Sequence, residues 1–444
     1  MDTRRLKLVY GAIVLGLTLV WWAGVPSDTW SQGFWAVRRG LLYYSGLMAI
    51  GLMSVAVVLA ARPVQIERAL GGLDKFYRLH KWLAITATLF GVCHWLIEIT
   101  PRSMVRRGWI EAQVRTPRAA EVATGFDPFR DLHEAAAGVG EWSLYLLLAL
   151  VAIALWKRFP YRRFFQAHRL LAALYLVLVF HSAILMGPTY WSQPIGPLLG
   201  VLMAAGSIAA LLSLFRRIGK AHRAVGTIES LTHHADNGVL EVVLRLSTAW
   251  PGHRAGQFAF IDFGGAEGAH PFTIASAWQA DGRLTFGIKA LGDYTRALPG
   301  QLFVGQTVNV EGPYGRFDFH ALQGRQIWVA GGIGITPFIA GLEALAAGGG
   351  KATVDLVYST RAANAALLER LHRLADAGGA RLHLLETPKD GVLDAERLAT
   401  LIPDWKDANL WFCGPSGFGR SLRRALEARG LPAANFHQEL FEMR

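Results

Sequence analysis

Six long apolar runs occupy the first half of the chain, at about residues 6–25, 40–61, 79–100, 140–156, 168–187 and 195–215. Each is long enough to span a hydrocarbon core of about 30 Å as a helix, the fourth being the shortest. After Arg223 the pattern changes to short segments of alternating or β-branched residues at 225–232, 238–246, 257–262, 272–276, 284–289 and 307–311. Gly, Asp, Asn or Pro bound them, which predicts a small antiparallel β-barrel. From residue 326 strands alternate with helices: strand IWVAG, helix 336–347, strand 352–358, helix 362–377, strand 381–386, helix 394–401, strand 409–413 and helix 416–429. Such alternation predicts a parallel α/β sheet. The expected architecture is a six-helix transmembrane bundle over residues 1–221, a barrel over 222–322 and an α/β domain over 323–444.

Charge orients this arrangement. The formal charge is +12, and most of the excess flanks the apolar runs: Arg4, Arg5 and Lys7; Arg62, Arg68, Lys75, Arg78 and Lys81; Lys157, Arg158, Arg162 and Arg163; Arg216, Arg217, Lys220 and Arg223. Cytoplasmic loops carry such an excess, so both ends of the bundle and everything after residue 222 are expected in the cytoplasm, with the bundle in the inner (plasma) membrane. No basic stripe interleaved with aromatics favours nucleic acid as a partner; membrane lipid is the expected one. The N-terminal run lacks a small-residue cleavage site and reads as a retained anchor. Cys93 and Cys413 lie in different halves, so no disulfide framework is expected.

The third and fifth runs each carry two histidines, His80 and His94 fourteen residues apart and His168 and His181 thirteen apart. Each pair spans about 20 Å of helix axis. The topology makes the two helices parallel, so His80 and His168 share the inner depth and His94 and His181 the outer depth. Imidazole suits iron, and ionisable groups in a bilayer need a partner, a cavity or a metal. The four residues can clamp two stacked haems; alternatively they bond helix backbones or relay protons. Fourteen residues return nearly to one helix face, whereas thirteen end about 140° away. A π-bulge, kink or strong tilt is therefore expected between His168 and His181.

The second half carries glycine-rich chemistry. GGIGITPF at 331–338 follows a buried strand and opens a helix with Pro337 in its first turn. Glycines let a backbone approach a pyrophosphate, and the helix N-terminus offers amide donors. HPFTIAS at 270–276, KALGDYT at 289–295, GPYGRF at 312–317, CGPSG at 413–417 and the terminal FHQELFEMR at 436–444 accompany it. In this order the blocks resemble the ferredoxin–NADP reductase superfamily. Joined to the four-histidine segment, the chain resembles the NADPH oxidase and ferric reductase family over nearly its whole length.

That resemblance implies FAD, two b haems and NADPH (or NADH) as cofactors. It implies that His270, Pro271, Phe272, Thr273 and Ser276 hold the flavin ring and ribityl chain, with Lys289, Gly292, Asp293, Tyr294 and Thr295 along the pyrophosphate. Gly331, Gly332, Gly334, Ile335, Thr336 and Pro337 would cradle the dinucleotide phosphates, and Cys413, Gly414 and Pro415 would flank the nicotinamide. Glu439 and Phe441 match the family's C-terminal acid and aromatic, Phe441 covering the flavin; packing of a terminal strand is its plainer role. Arg361, after YST, is a candidate for the 2′-phosphate of NADPH, a role its planar fork suits.

For the outlet, the resemblance places an arginine near the outer haem, at Arg39. A snorkelling interfacial arginine is the simpler alternative. Glu98, where animal-type oxidases carry another histidine, is expected to feed protons, attract a metal cation, or pair with Arg38 or Arg39. The expected activity is NAD(P)H oxidation outside-coupled to O2, yielding superoxide. Reduction of a ferric or cupric chelate, or of a periplasmic partner through loop 101–139, stands as the alternative. No EF-hand or proline-rich regulatory segment occurs, so activity is expected without an activating protein.

Overall fold

The computed structural model describes residues 3–63, 66, 69–113, 126–156, 158–265, 268–319, 324–348, 353–362 and 364–438. Two compact units divide the chain, one ending at Ile218 and the other beginning at Gly219.

The first unit is built on six long helices: α1 (Thr3–Trp22), α2 (Phe34–Ala60), α3 (Leu73–Arg106), α4 (His133–Leu155), α5 (Tyr161–Leu185) and α6 (Ile195–Leu214). All six are long and apolar enough to cross a membrane. In lipid every backbone polar group needs an internal partner, and a helix supplies it within one segment. Helix association then rests on small residues and interhelical hydrogen bonds. Gly51 of α2 sits against Leu199 and Leu17, and Gly206 of α6 faces the hydroxyl of Tyr175. Hydroxyl pairs cross between helices at Tyr10–Thr86 (2.7 Å), Thr18–Tyr44 (3.0 Å) and Ser54–Tyr175 (2.8 Å). Helix α2 packs on α1, α3 and α6, and α5 packs on α4 and α6. Helices α3 and α5, which carry the four histidines, scarcely touch.

Two expectations need correction here. Helix α3 runs through Pro101 to Arg106, so the loop expected from residue 101 begins later. Within α5 the whole of Tyr161–Leu185 is α-helix, so the π-bulge, one of the three features expected there, is absent. Its histidines leave the axis about 140° apart. Each still meets a histidine of α3.

The second unit has two sheets. Strands β1 (Arg223–His234), β2 (Val239–Leu246), β3 (Phe258–Asp262), β4 (His270–Thr273), β5 (Arg283–Lys289) and β6 (Thr307–Tyr314) form an antiparallel sheet of order β4-β3-β6-β1-β2-β5. Its edges approach through one antiparallel bridge, Ile274 to Phe286. Alternate residues Leu240, Val242 and Leu244 of β2 and Leu284, Phe286 and Ile288 of β5 fill the interior.

Parallel strands β7 (Arg325–Gly331), β8 (Thr353–Thr360), β9 (Arg381–Glu386), β10 (Asn409–Cys413) and β11 (Phe436–Gln438) form the second sheet, of order β11-β10-β7-β8-β9. Helices α7 (Thr336–Ala346), α8 (Ala365–Gly378), α9 (Ala395–Leu401) and α10 (Ser416–Ala428) connect them. Trp328, Leu356 and Trp411 share a core with α7 and α8, while Ile327, Val357 and Leu410 share one with α9 and α10, so helices cover both faces. Phe317 and Phe319, from the segment that leaves the first sheet, are buried in the former core and join the two halves of this unit. Strand β11 had no clear signature in sequence, being only three residues long.

Candidate functional site

The four histidines stand as two pairs. Ring centroids of His80 and His168 are 6.1 Å apart, and those of His94 and His181 are 6.3 Å apart. Two imidazoles on opposite sides of one metal, each bonded at about 2 Å, bring their centroids about 6 Å apart. Nδ1 of His80 lies 2.8 Å from the carbonyl oxygen of Ala56, Nδ1 of His94 lies 2.9 Å from that of Leu42, and Nδ1 of His181 lies 2.8 Å from that of Ala136. A carbonyl can only accept, so Nδ1 carries the proton and Nε2 keeps its lone pair, the tautomer a metal ligand needs. Nδ1 of His168 is buried without a hydrogen-bond partner among the described residues. Among the described residues no three His, Cys, Asp or Glu side chains cluster as a metal site. A pair of histidines is a donor set that could hold a haem iron.

Local sequence explains how the rings reach helix carbonyls. Gly46 stands one turn after Leu42, and Gly140 one turn after Ala136. A side chain at either glycine would cover the carbonyl: a Cβ at Gly46 would lie 3.0 Å from His94 Nδ1, and one at Gly140 would lie 2.7 Å from His181 Nδ1. Neither glycine stood out in the sequence, because an isolated glycine in an apolar helix has many possible causes; its i+4 relation to an accepting carbonyl is visible only once the partner helix is known.

Near His94 a cationic cluster encloses Glu98. Arg38, in the second turn of α2, donates to the Glu98 carboxylate and, at 3.2 Å, to the carbonyl of Ile97. Arg102 donates to the other carboxylate oxygen at 3.0 Å. Glu98 is thus committed to two arginines, Arg38 being its partner rather than Arg39. Arg39 is exposed, with Tyr43 and Tyr190 as electrostatic neighbours.

In the second unit, β4 consists of His270, Pro271, Phe272 and Thr273, paired with Ile261, Phe260, Ala259 and Phe258 of β3. The turn Gly292–Thr295 closes on itself, Thr295 Oγ1 accepting from the amides of Leu291 and Gly292 at 3.0 Å each. This places Tyr294 flat against His270, centroids 3.8 Å apart. A cavity of about 260 Å³ opens between Tyr294 and the Phe263–Gly265 turn. Burial holds the His270 imidazole down to about 4, with Asp262 opposing that shift. Ser276 Oγ accepts from the amide of Thr285 at 3.1 Å. Asp293 is exposed and pairs with Arg296 at 3.2 Å.

The nucleotide side follows from strand order. Sequence runs outward from β7 to β8 and β9, then returns to β10 on the other flank of β7, making a topological switch point between β7 and β10. Open α/β sheets bind ligands there, beyond the carboxyl ends of the strands. Both glycine turns sit at this point. A Cβ at Gly334 would strike the carbonyl of Cys413, one at Gly331 would lie 2.9 Å from Pro415, and one at Gly414 would lie 3.0 Å from Gly331. Gly332, with φ of 56°, has the left-handed backbone that favours glycine. Ile335 and Thr336 pass the chain into α7, with Pro337 in the first turn. A Cβ at Gly287 of β5 would lie 3.1 Å from Thr336, and one at Gly332 would lie 3.9 Å from Lys289 Nζ, so the flavin-side strand abuts the cradle. Arg361 is exposed just past β8. Glu439 and Phe441 lie outside the described residues.

Two family descriptions match the chain: a ferric reductase like transmembrane component over residues 45–179 and an FAD-binding domain over residues 229–318. A ferredoxin reductase component of 3-ketosteroid-9-alpha-monooxygenase from Rhodococcus rhodochrous is 36% identical over 142 residues, 31% of this chain and 40% of that protein. A vanillate O-demethylase oxidoreductase from Pseudomonas putida is 32% identical over 148 residues, 33% of this chain and 45% of its own length. The chain thus spans less than half the length of either relative. A flavohemoglobin from Malassezia yamatoensis is 18% identical, with 89% of this chain and 94% of that one covered at a TM-score of 0.48, too low to carry a fold assignment. With a ferric reductase-like transmembrane component ahead of an FAD-binding domain and a parallel-sheet nucleotide domain, the chain has the architecture of the NADPH oxidase and ferric reductase family.

Proposed function

We propose that the protein is a transmembrane NAD(P)H oxidase that carries electrons from NADPH on the cytoplasmic side of the plasma membrane to O2 outside, yielding superoxide. The observation that carries this reading is the pair of histidine couples, 6.1 and 6.3 Å between rings, on helices that scarcely touch. His80 and His168 would hold an inner haem b, and His94 and His181 an outer one. When bound, FAD accepts a hydride and yields single electrons, and haem iron takes one electron at a time. The chain's own residues place these groups. The Gly331–Pro337 turn and Cys413–Pro415 would hold the dinucleotide at the switch point, beside Lys289. His270 and Tyr294 would hold the flavin, and the low proton affinity of His270 keeps it a neutral neighbour.

On the outer side, exposed Arg39 supports the oxygen reading, since a fixed cation favours an anion as it forms. Glu98 has its charge met by Arg38 and Arg102, which weighs against its drawing a metal cation. The ferric reductase-like description of the membrane segment favours a second reading, in which the acceptor is an anionic ferric chelate. The two separate in one assay of purified, FAD-replete protein: dismutase-sensitive cytochrome c reduction measured beside NADPH loss. Nearly all electrons in superoxide supports the oxidase. A small fraction, with turnover restored by ferric chelate, overturns it for the reductase.

A further inference from the structure

Glu343 lies on α7, the helix that the Gly331–Pro337 turn opens, two turns beyond that cradle. Its carboxylate faces the first sheet. One oxygen accepts the backbone amide of Ala277 at 2.9 Å, and the other accepts from Arg370 of α8 at 2.8 Å. Ala277 directly follows the HPFTIAS segment. A second hydrogen bond steadies the same strand end: His253 Nε2 lies 2.8 Å from the carbonyl oxygen of Ser276. Arg370 in turn reaches back to Glu241 of β2 at 3.1 Å. At the start of α8, Asn364 uses its side-chain oxygen to cap the amide of Leu367 and its nitrogen to bond Asp236, at 2.7 Å, in the β1–β2 turn.

The Glu343–Ala277, Arg370–Glu241 and Asn364–Asp236 contacts join the two halves of the second unit, and none of these six residues is among those assigned to flavin or nucleotide. Glu343 is unusual among them, because it is built into the nucleotide-side helix yet holds the end of the flavin-side segment by its backbone. We propose that Glu343 and Arg370 are positioning residues that fix the approach of the hydride donor to its acceptor. The inference rests on the NAD(P)H–FAD reading above. Hydride transfer needs the two rings at near contact, and a misplacement of about 1 Å from a remote change costs on the order of a hundredfold in rate. The shared apolar core around Phe317 and Phe319 keeps the two halves associated when the polar tie is cut, so the expected loss is of alignment rather than of folding.

The test is anaerobic stopped-flow reduction of the flavin by NADPH in the full-length holoprotein, comparing the parent with Glu343→Ala, Glu343→Gln and Arg370→Met. The limiting rate at saturating NADPH should fall about tenfold or more in Glu343→Ala, while the half-saturating NADPH concentration and FAD content change less than about threefold. Glu343→Gln, which keeps an acceptor for the Ala277 amide and loses the charge pair, should recover part of the rate. Arg370→Met reports on the tie even where Glu343→Ala does not retain FAD. Limiting rates within twofold of the parent in every variant that retains FAD overturn the inference, as does an effect confined to half-saturation. A parent protein whose flavin NAD(P)H does not reduce contradicts the functional reading instead, so the two failures are distinguishable.

Discussion

A methyl group added at Gly140 would fall on the ring of His181, whereas one added at Gly138, two residues earlier on the same helix, meets nothing within 4 Å. The pair makes a controlled experiment at the scale of a single atom. Gly140→Ala should displace His181 from the Ala136 carbonyl, lower haem content toward one per chain and cost about 1–3 kcal/mol from overpacking. Gly138→Ala should leave both unchanged, and pyridine haemochrome content with thermal unfolding reads the difference. A second residue-scale prediction concerns His270, whose burial lowers its proton affinity to about 4 from an ordinary 6.5. Between those values the unfolded chain binds more protons than the folded one, so stability rises with pH across that window and is lost as pH falls through it. In the FAD-free protein, His270→Gln should flatten the dependence of unfolding midpoint on pH between about 4 and 6.5; an unchanged slope would assign it elsewhere. Among residues, those with local signatures were legible: the four histidines, HPFT and GGIGITP each announce themselves by spacing or composition. Gly46 and Gly140 did not, since each matters through a histidine on another helix far away in sequence; Arg38 was one of two partners expected for Glu98, and Arg102, one turn beyond Glu98, went unnoticed.

At the scale of elements, helix pairs in the bundle hold by small residues and hydroxyls rather than by greasiness, which lipid supplies equally. Tyr175, fully buried on α5, bonds Ser54 of α2, and its hydroxyl faces Gly206 of α6. Tyr175→Phe should destabilise the bundle by about 0.6–2 kcal/mol, read as detergent or thermal unfolding monitored by helicity. Gly206→Ala should destabilise it more, and the double variant should recover part of that loss. In the second unit, Asn364→Ala removes both the cap of α8 and the Asp236 contact and should cost about 1–2 kcal/mol. Hydropathy and alternation carry strands and spans in sequence because they record which face meets lipid, core or water. They carried less about α5: of the π-bulge, kink or tilt expected between His168 and His181, the π-bulge is absent. Strand β11 pairs with β10 over three residues, too short for alternation to register.

For the whole molecule, the switch point between β7 and β10 was implicit in strand order, and only the assembled sheet shows the two glycine turns meeting there. The tie through Glu343 was not legible at all, because its partners Ala277 and Arg370 lie on different elements with no local pattern linking them. Sequence alone left the acceptor open between O2, a metal chelate and a partner protein. The central claim is the existence of two haems at two depths, each between one histidine of α3 and one of α5. Haem stoichiometry in the purified parent, His80→Ala and His94→Ala tests it most directly, with the NADPH-reduced spectrum of each. The account predicts two haems in the parent and one in each variant, with flavin reduction by NADPH preserved in both. Two haems retained in His94→Ala, or none bound by the parent reconstituted with haem, would contradict it.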